Sequence, residues 1–412
     1  MKQNIIPVVI GADLNCYNVV RAFHEAYGVK SYCFGRYPMA PTMHSSIMHF
    51  TAIPELEEDD VLLKVLQDFE SEHPEGELYL VGCTDQYADM LIRLHDRLPR
   101  YHCPLPPKEI YQEIQKKAAF YEICDKYDIP YPVTVVKDGP VEEAEVRESA
   151  LGFAYPIIIK PSFSAEYFLH EFEGMKKVYV SHSPSESVEI MKEIYCHGYG
   201  DKMILQKMVE GGDSNMRVLT CFSDNKGKLR AMCLGHTMVE EHTPTGLGNH
   251  AAIVTEDVTK FPVAEKIRKM LEDIGYTGFS NFDIKEDGNS GDFRVFEINL
   301  RQGRSNYYVT GAGMNIAKLI VEKYEDEGSD LTVCTKETYW HLIPSKVAFT
   351  YTEDKALVEK AKKLEKAGRS TSSLEYKYDM YRNPLRWFFV KEQLRRHYAK
   401  YKKYYPVQKE AK

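Results

Sequence analysis

The segment FSNFDIK (279–285), the polar turn DGNSGD (287–292) and the segment FRVFEINLRQGR (293–304) hold the residues best suited to chemistry. The pattern reads as a β-hairpin with a wide turn. Side chains alternate across a strand, so Val295, Glu297, Asn299 and Arg301 are expected on one face and Phe296, Ile298 and Leu300 on the other. Asn281 and Asp283 share a face of the facing strand, and the hairpin brings Asp283 within a residue or two of Glu297. Two carboxylates and an amide oxygen converging in this way form an oxygen-ligand set of the kind Mg²⁺ prefers, with positions left for phosphates and water. Acids this close repel unless a cation lies between them. The competing assignment is a surface hairpin whose acids pair with Arg301, Arg304 and Lys285. The apolar residues on the opposite face argue instead for the edge of a cleft.

Cations and a small-residue loop precede the hairpin. Lys160 ends the apolar run Ile157–Ile159 and is followed by Pro161 and the loop SFSAE. An ammonium there can meet one phosphate oxygen while backbone N–H groups near Ser162 and Ser164 meet others. Lys117 is a candidate second cation, with Lys116 as its competitor. Gln206, Lys207 and Val209 lie where a strand leaves one lobe for the next, and backbone groups there can bond an adenine edge. Asp213, in the irregular stretch VEGGDSN, joins them as a candidate nucleotide contact. The chain has no GxxxxGK[ST] and no GxGxxG after a strand, which weighs against P-loop and Rossmann nucleotide sites.

These residues need a scaffold, and the chain reads as alternating strands and helices at its start. Ile5–Ile10, a helix from about Asn15 to Tyr27 ended by Gly28, and Ser31–Phe34 open a doubly wound parallel sheet. Thr84 and Asp85 then follow a buried strand at Leu78–Val81, at the carboxyl edge where such sheets bind ligands. Gly11 and Asp13 hold the matching place after the first strand, where Asp13 also suits a helix N-cap. We expect four segments: 1–110, an N-terminal α/β lobe; 111–205, a small lobe; 206–330, a larger lobe with the metal hairpin; and 331–412, an extension with a basic aromatic tail.

The 412 residues, 43% hydrophobic and 28% charged with mean hydropathy −0.42, are those of a globular protein large enough for several lobes. No apolar run approaches the ~20 residues of a membrane span. The N-terminus lacks the pattern of a signal peptide, so a cytoplasmic protein is expected. Nine scattered cysteines without a CxxC pair argue against a disulfide framework and a zinc site. Net charge is −8, but the stretch from Tyr381 onward holds ten Lys or Arg against two acids, so the tail is +8 and the rest −16. A nucleic-acid binder would want a basic body as well as a basic tail, and no nucleic-acid partner is expected. Contact of the tail with an anionic membrane surface stays open.

Two lysines, a small-residue loop, a hinge strand and an acidic hairpin ending in FEINLR, in that order, resemble the ATP-grasp superfamily. Within it the chain is similar to D-aspartate ligases of Gram-positive peptidoglycan synthesis. The similarity is carried by GADLNCYNVVRAFHEAYG, KKAAFYEICDKYDIPYP, GGDSNMRVL, MCLGHTMVEEHTPTGLGNHAAIV, YTGFSNFDIK and FEINLRQGRSNYYVT. The resemblance implies an α/β and α+β architecture in which two lobes sandwich ATP behind the N-terminal lobe. It implies ATP-driven phosphorylation of the D-aspartate side-chain carboxylate, followed by attack of a lysine ε-amine of the UDP-linked muramyl pentapeptide. By the family pattern Asp283, Glu297 and Asn299 hold Mg²⁺, with Mn²⁺ as an alternative, and Lys117 and Lys160 bind ATP phosphates. Arg301 steadies the acyl phosphate. Arg304, Arg217 and the segment 246–250 are further candidates for amino-acid or phosphate contacts, and Ser305 and Asn306 for polar ones. Two departures stand out: SFSAE lacks the glycines of a phosphate loop, and the hinge QKMVEGG differs from the usual acidic one. A ligase for another amino acid, or an ATP-binding module without turnover, are the alternatives.

Overall fold

The computed structural model describes residues 4–405 apart from 245, 327 and 329; the last part of the basic tail, 406–412, lies outside the described residues. Strands β1 (Ile5–Ile10), β2 (Ser31–Gly35), β3 (Met48–Ala52), β4 (Glu77–Gly82) and β5 (Tyr101–His102) form a parallel sheet of order β3-β2-β1-β4-β5. Strand order reverses beside β1, so the loops after β1 and β4 open a crevice at their carboxyl ends. Asp13 and Thr84 occupy those loops and cap the helices that follow, accepting from the Cys16 and Tyr87 N–H groups.

A four-stranded sheet comes next, built from β6 (Thr134–Lys137), β7 (Ile157–Pro161), β8 (Tyr179–Ser181) and β9 (Met203–Lys207) in the order β6-β9-β7-β8. Its pairings are antiparallel, and a separate cluster of apolar residues, including Ile157, Ile159, Tyr167, Met191 and Leu205, packs on one face.

The third sheet holds β10 (Met216–Ser223), β11 (Leu229–Glu241), β12 (Asn249–Glu256), β13 (Gly278–Glu286), β14 (Phe293–Asn299), β15 (Thr332–Val333), β16 (Tyr339–His341) and β17 (Ser370–Ser372). Its order is β14-β13-β10-β11-β12-β16-β17, with β15 alongside β11. Leu219, Cys221, Phe282 and Ile284 pack from one face onto helices Lys117–Lys126 and Ala264–Asp273. Val218, Phe222, Cys233 and Ile253 pack from the other onto the N-terminal helix Leu14–Tyr27 and the C-terminal segment. The sheet is therefore covered on both sides, and polar side chains on it persist only where they find partners.

Two contacts fix the segments around this sheet. Gly278 starts β13 with φ +82°, and a Cβ there would overlap the Pro104 carbonyl between the first and second lobes. Gly278→Ala combines steric overlap with a left-handed backbone and is expected to destabilise by about 3 kcal/mol or more, measured by urea unfolding. At the other end Arg386 and Asp379, both fully buried, form an ion pair at 2.9 Å. Asp379 also accepts from Tyr17, Ser45 and Ser46, and Arg386 donates to the Met43 carbonyl, which seats the helix Pro384–Tyr404 on the N-terminal lobe. No helix among the described residues is long and apolar enough to cross a membrane.

Candidate active site

Strands β13 and β14 pair so that Asp283 stands opposite Glu297 and Asn281 opposite Asn299. Three of these side chains converge on one face. Asn299 Nδ2 donates to Asp283 Oδ2 at 2.9 Å, which leaves the amide oxygen of Asn299 free to ligate. Asn281 is turned to the Arg301 carbonyl at 2.6 Å and supports the strand end instead. Two facing carboxylates and a free amide oxygen are the donor set a hard divalent cation takes.

The register carries one correction. Glu297 pairs with Asp283 but Val295 pairs with Ile284, so Phe296 is the extra residue of a β-bulge. The bulge shifts alternation by one. Val295 enters the core with Ile298 and Leu300, and the Phe296 ring lies 5.6 Å from Lys160 Nζ, on the cleft side.

Both lysines reach the hairpin. Lys117 Nζ lies 3.3 Å from Glu297 Oε2 and donates to Ser164 Oγ at 3.1 Å. Lys160 is 7% exposed, and its Nζ donates to the Tyr121 hydroxyl at 3.2 Å. Tyr121 also accepts from Gln206 Nε2 at 3.0 Å and donates to the Phe296 carbonyl at 2.8 Å, tying helix, strand β9 and hairpin together. Burial would push the Glu297 carboxyl up, but Lys117, Lys177 and Lys160 outweigh it and hold it at about 2. Burial pulls Lys160 down to about 8 against the attraction of Glu297. The surroundings of this one ionised acid are thus cationic, an arrangement ready for polyanionic phosphate.

Other expected residues fall in different places. Ser162 is fully buried; its Oγ accepts from the Ala118 N–H and its carbonyl from the Lys117 N–H, so it anchors the start of that helix instead of facing the cleft. Gln206 has its amide engaged by Tyr121 and Thr134. The Lys207 N–H is taken by the Val133 carbonyl, and the Val209 carbonyl accepts from Lys285 Nζ at 2.9 Å. Asp213 is bound by the His242 ring at 2.9 Å and the Glu240 N–H at 2.9 Å. Arg217 does not join the site. It pairs across to Ile284, one residue out of step with Asp283, and so lies on the opposite face between Glu256 and Glu286 at 3.1 and 3.0 Å. Ser305 and Asn306 are buried, Asn306 accepting from Thr220, and serve as support.

The loop after β14 meets the N-terminal lobe through Arg301 and the end of β11 through Arg304. Arg301 places Nε 2.7 Å and Nη2 3.0 Å from the two oxygens of Asp85, and Arg304 Nη2 lies 3.0 Å from Glu241 Oε2. Burial raises the Asp13 carboxyl, which Arg304 and Arg301 partly offset. Asp85 is 72% exposed at its side chain, so Asp85→Asn is expected to cost under about 1 kcal/mol in thermal unfolding while freeing Arg301.

Several members had no clear mark in the sequence. Within the segment 246–250 only His250 reaches the hairpin, its Nε2 3.7 Å from Asp283 Oδ1 and its Nδ1 3.5 Å from Glu240 Oε1. Tyr121 could have been found, since it lies one helical turn from Lys117. Phe296, Lys177 and Glu240 depend on a bulge and on lobe packing.

No protein-family model matches the chain. It is 33% identical over 416 residues to the D-aspartate ligase of Enterococcus faecium (strain Aus0004), covering 98% of each. Among solved structures it superposes on N5-carboxyaminoimidazole synthetase from Staphylococcus aureus with TM-score 0.57 at 15% identity, over 84% of both chains. Phosphoribosylamine–glycine ligase from Thermotoga maritima gives 0.56 at 16% identity, over 81% of this chain and 78% of that one. An L-amino acid ligase from Bacillus licheniformis gives 0.55 at 13%, over 79% and 75%. Those identities speak for the fold, which is ATP-grasp. Near-full-length identity with a curated relative goes further: the chain belongs to the D-aspartate ligase family and is an ATP-dependent ligase.

Proposed function

We propose that this protein joins the side-chain carboxylate of D-aspartate to the lysine ε-amine of the UDP-linked muramyl pentapeptide through an acyl phosphate. The observation that carries the reading is the ionised Glu297, opposite Asp283 and ringed by Lys117 and Lys160, on a strand whose following loop carries Arg301 and Arg304, each held by an acid.

Asp283, Glu297 and Asn299 would hold Mg²⁺, which neutralises phosphate charge; the same oxygen set suits Mn²⁺. Lys117 and Lys160 bind the ATP phosphates, and Ser164 orients Lys117. The adenine lies at the hinge beside Lys207 and Val209, whose N–H donates to no described residue. A carboxylate oxygen of the amino acid attacks the γ-phosphorus, ADP leaves, and Arg301 screens the acyl phosphate as it forms. The acceptor amine then attacks the acyl carbon and phosphate departs, closing the amide bond. Arg304 holds the second carboxylate of the amino acid, and Asp85 and Glu241 keep both arginines in position until it arrives. ATP and a nucleotide-linked acceptor both place the reaction in the cytoplasm.

The test measures ADP release and hydroxylamine trapping of the acyl phosphate with a panel of D- and L-amino acids. A lysine-containing muramyl peptide is then added and the product weighed by mass spectrometry. D-Aspartate alone should give hydroxamate and then a new amide. A different acid would rename the substrate, and ATP binding with no acid-stimulated turnover would sink the reading.

A further inference from the structure

The C-terminal helix Pro384–Tyr404 ends against the wall of the candidate active site. Tyr401 donates to the Glu240 carbonyl at 2.8 Å, and the Tyr405 ring stands 4.3 Å from that of His242. Glu240 faces His250, which faces Asp283, so contacts run without a break from the helix to the hairpin. A cavity of about 10 Å³, room for a single water, lies between helix and strand end, lined by Glu241, His242, Thr243, His397, Lys400 and Tyr404.

The charges of that cavity and of the exposed helix face next to it are unequally answered. Glu241 is met by Arg304 and His242 by Asp213. Lys400 and Lys403 pair with no acid among the described residues, and Arg396, one turn earlier, shares Glu392 with Arg395. Spacing of four and three residues puts Arg396, Lys400 and Lys403 on one strip of the helix, and all three are exposed. Beside the strip, His397 is 7% exposed yet its Nδ1 has no partner, and Gln393 Nε2 is buried without one. Buried polar atoms ordinarily find partners, and the cavity beside His397 has room for one water to supply it. Of the helix's exposed large hydrophobic side chains, Leu385, Trp387 and Phe388 lie at its other end and Tyr398 next to the strip.

We propose that Arg396, Lys400, Lys403 and His397 form the docking site for the diphosphate of the nucleotide-linked acceptor. The inference rests on the acceptor proposed above. Two adjacent phosphates match a row of cations about one helical turn apart, and the site's continuity with Glu240 lets a carrier bound there deliver its peptide amine to the cleft. The body's net charge of −16 disfavours such an anion over most of its surface, so the strip also steers it.

The experiment compares Lys400→Ala/Lys403→Ala with Lys402→Ala, whose side chain lies on the opposite side of the helix by the same spacing. The double variant is expected to raise KM for the UDP-linked peptide at least tenfold, with hydroxamate formation from ATP and amino acid within twofold of wild type. Lys402→Ala should move neither. UDP should compete with the acceptor, and the free pentapeptide should not. An unchanged acceptor KM, an equal effect of Lys402→Ala, or competition by the peptide alone overturns the proposal. If no amino acid yields hydroxamate with the wild type, the ligase substrate reading is what has failed. Calorimetric titration with UDP then decides the site: tenfold weaker binding to the double variant supports it, and equal or absent binding in both proteins overturns it.

Discussion

Glu297→Gln is expected to lower ADP formation by about 10²–10³-fold while the chain still unfolds cooperatively. The substitution keeps the shape of the side chain but removes the anion that faces Asp283 and meets Lys117 at 3.3 Å. A neutral amide is a poor ligand for a hard cation and leaves Lys117 and Lys160 facing each other's charge. Stability should also fall, with a definite pH signature. Glu297 titrates near 2 in the fold against an ordinary value of 4.5, so the unfolded chain binds more protons between those values. Its contribution, at most about 3 kcal/mol, is present above about pH 4.5 and is lost as pH falls toward 2. Acid unfolding of the wild type should therefore be steeper in that window than that of the variant. Unchanged ADP release would mean that the hairpin is not the phosphoryl-transfer site.

Lys160→Met is expected to weaken ATP binding and turnover by about a hundredfold and at the same time to stabilise the fold. The ammonium is buried among Tyr121, Phe296 and the strand end, and its folded value near 8 lies below the ordinary 10.5. Burying the charge therefore costs stability: on the order of 3 kcal/mol below pH 8, fading as pH rises toward 10.5, where both states are neutral. Methionine fills a similar volume without the charge, offset in part by the partner Tyr121 loses. The wild type should gain stability between pH 8 and 10.5, and the variant should lose that slope while melting a few degrees higher. A lower melting temperature at neutral pH would show that the lysine is structural. Such a trade is what a site built for phosphate predicts, because the cation is costly until its ligand arrives.

The extent to which the site was legible in the chain follows from where each residue's neighbours lie. Asp283, Glu297 and Asn299 sit on strands joined by one short turn, and hairpin pairing brings them together with no help from the rest of the molecule. Lys160 and the parallel N-terminal sheet were readable for a similar reason, since an apolar run and its end are local features. Alternation then failed at Phe296. A single extra residue in β14 reversed the faces of Val295 and Phe296, and nothing in FRVFEIN marks a bulge.

Arg217 shows the same sensitivity in another strand. It lies one register step from the residue facing Asp283, and only sheet pairing decides that it turns toward Glu256 and Glu286. Ser162 looked like a phosphate contact because small polar loops often are, but the approach of helix Lys117–Lys126 converts it into that helix's anchor. The pairing of Arg301 with Asp85 spans 216 residues of chain, and the seat of Tyr401 on Glu240 spans 161. Local chemistry, written in alternation and short turns, was determined by the sequence alone. Which arginine meets which acid, and what the basic tail faces, were decided by packing between lobes, because those contacts join residues that no periodicity relates.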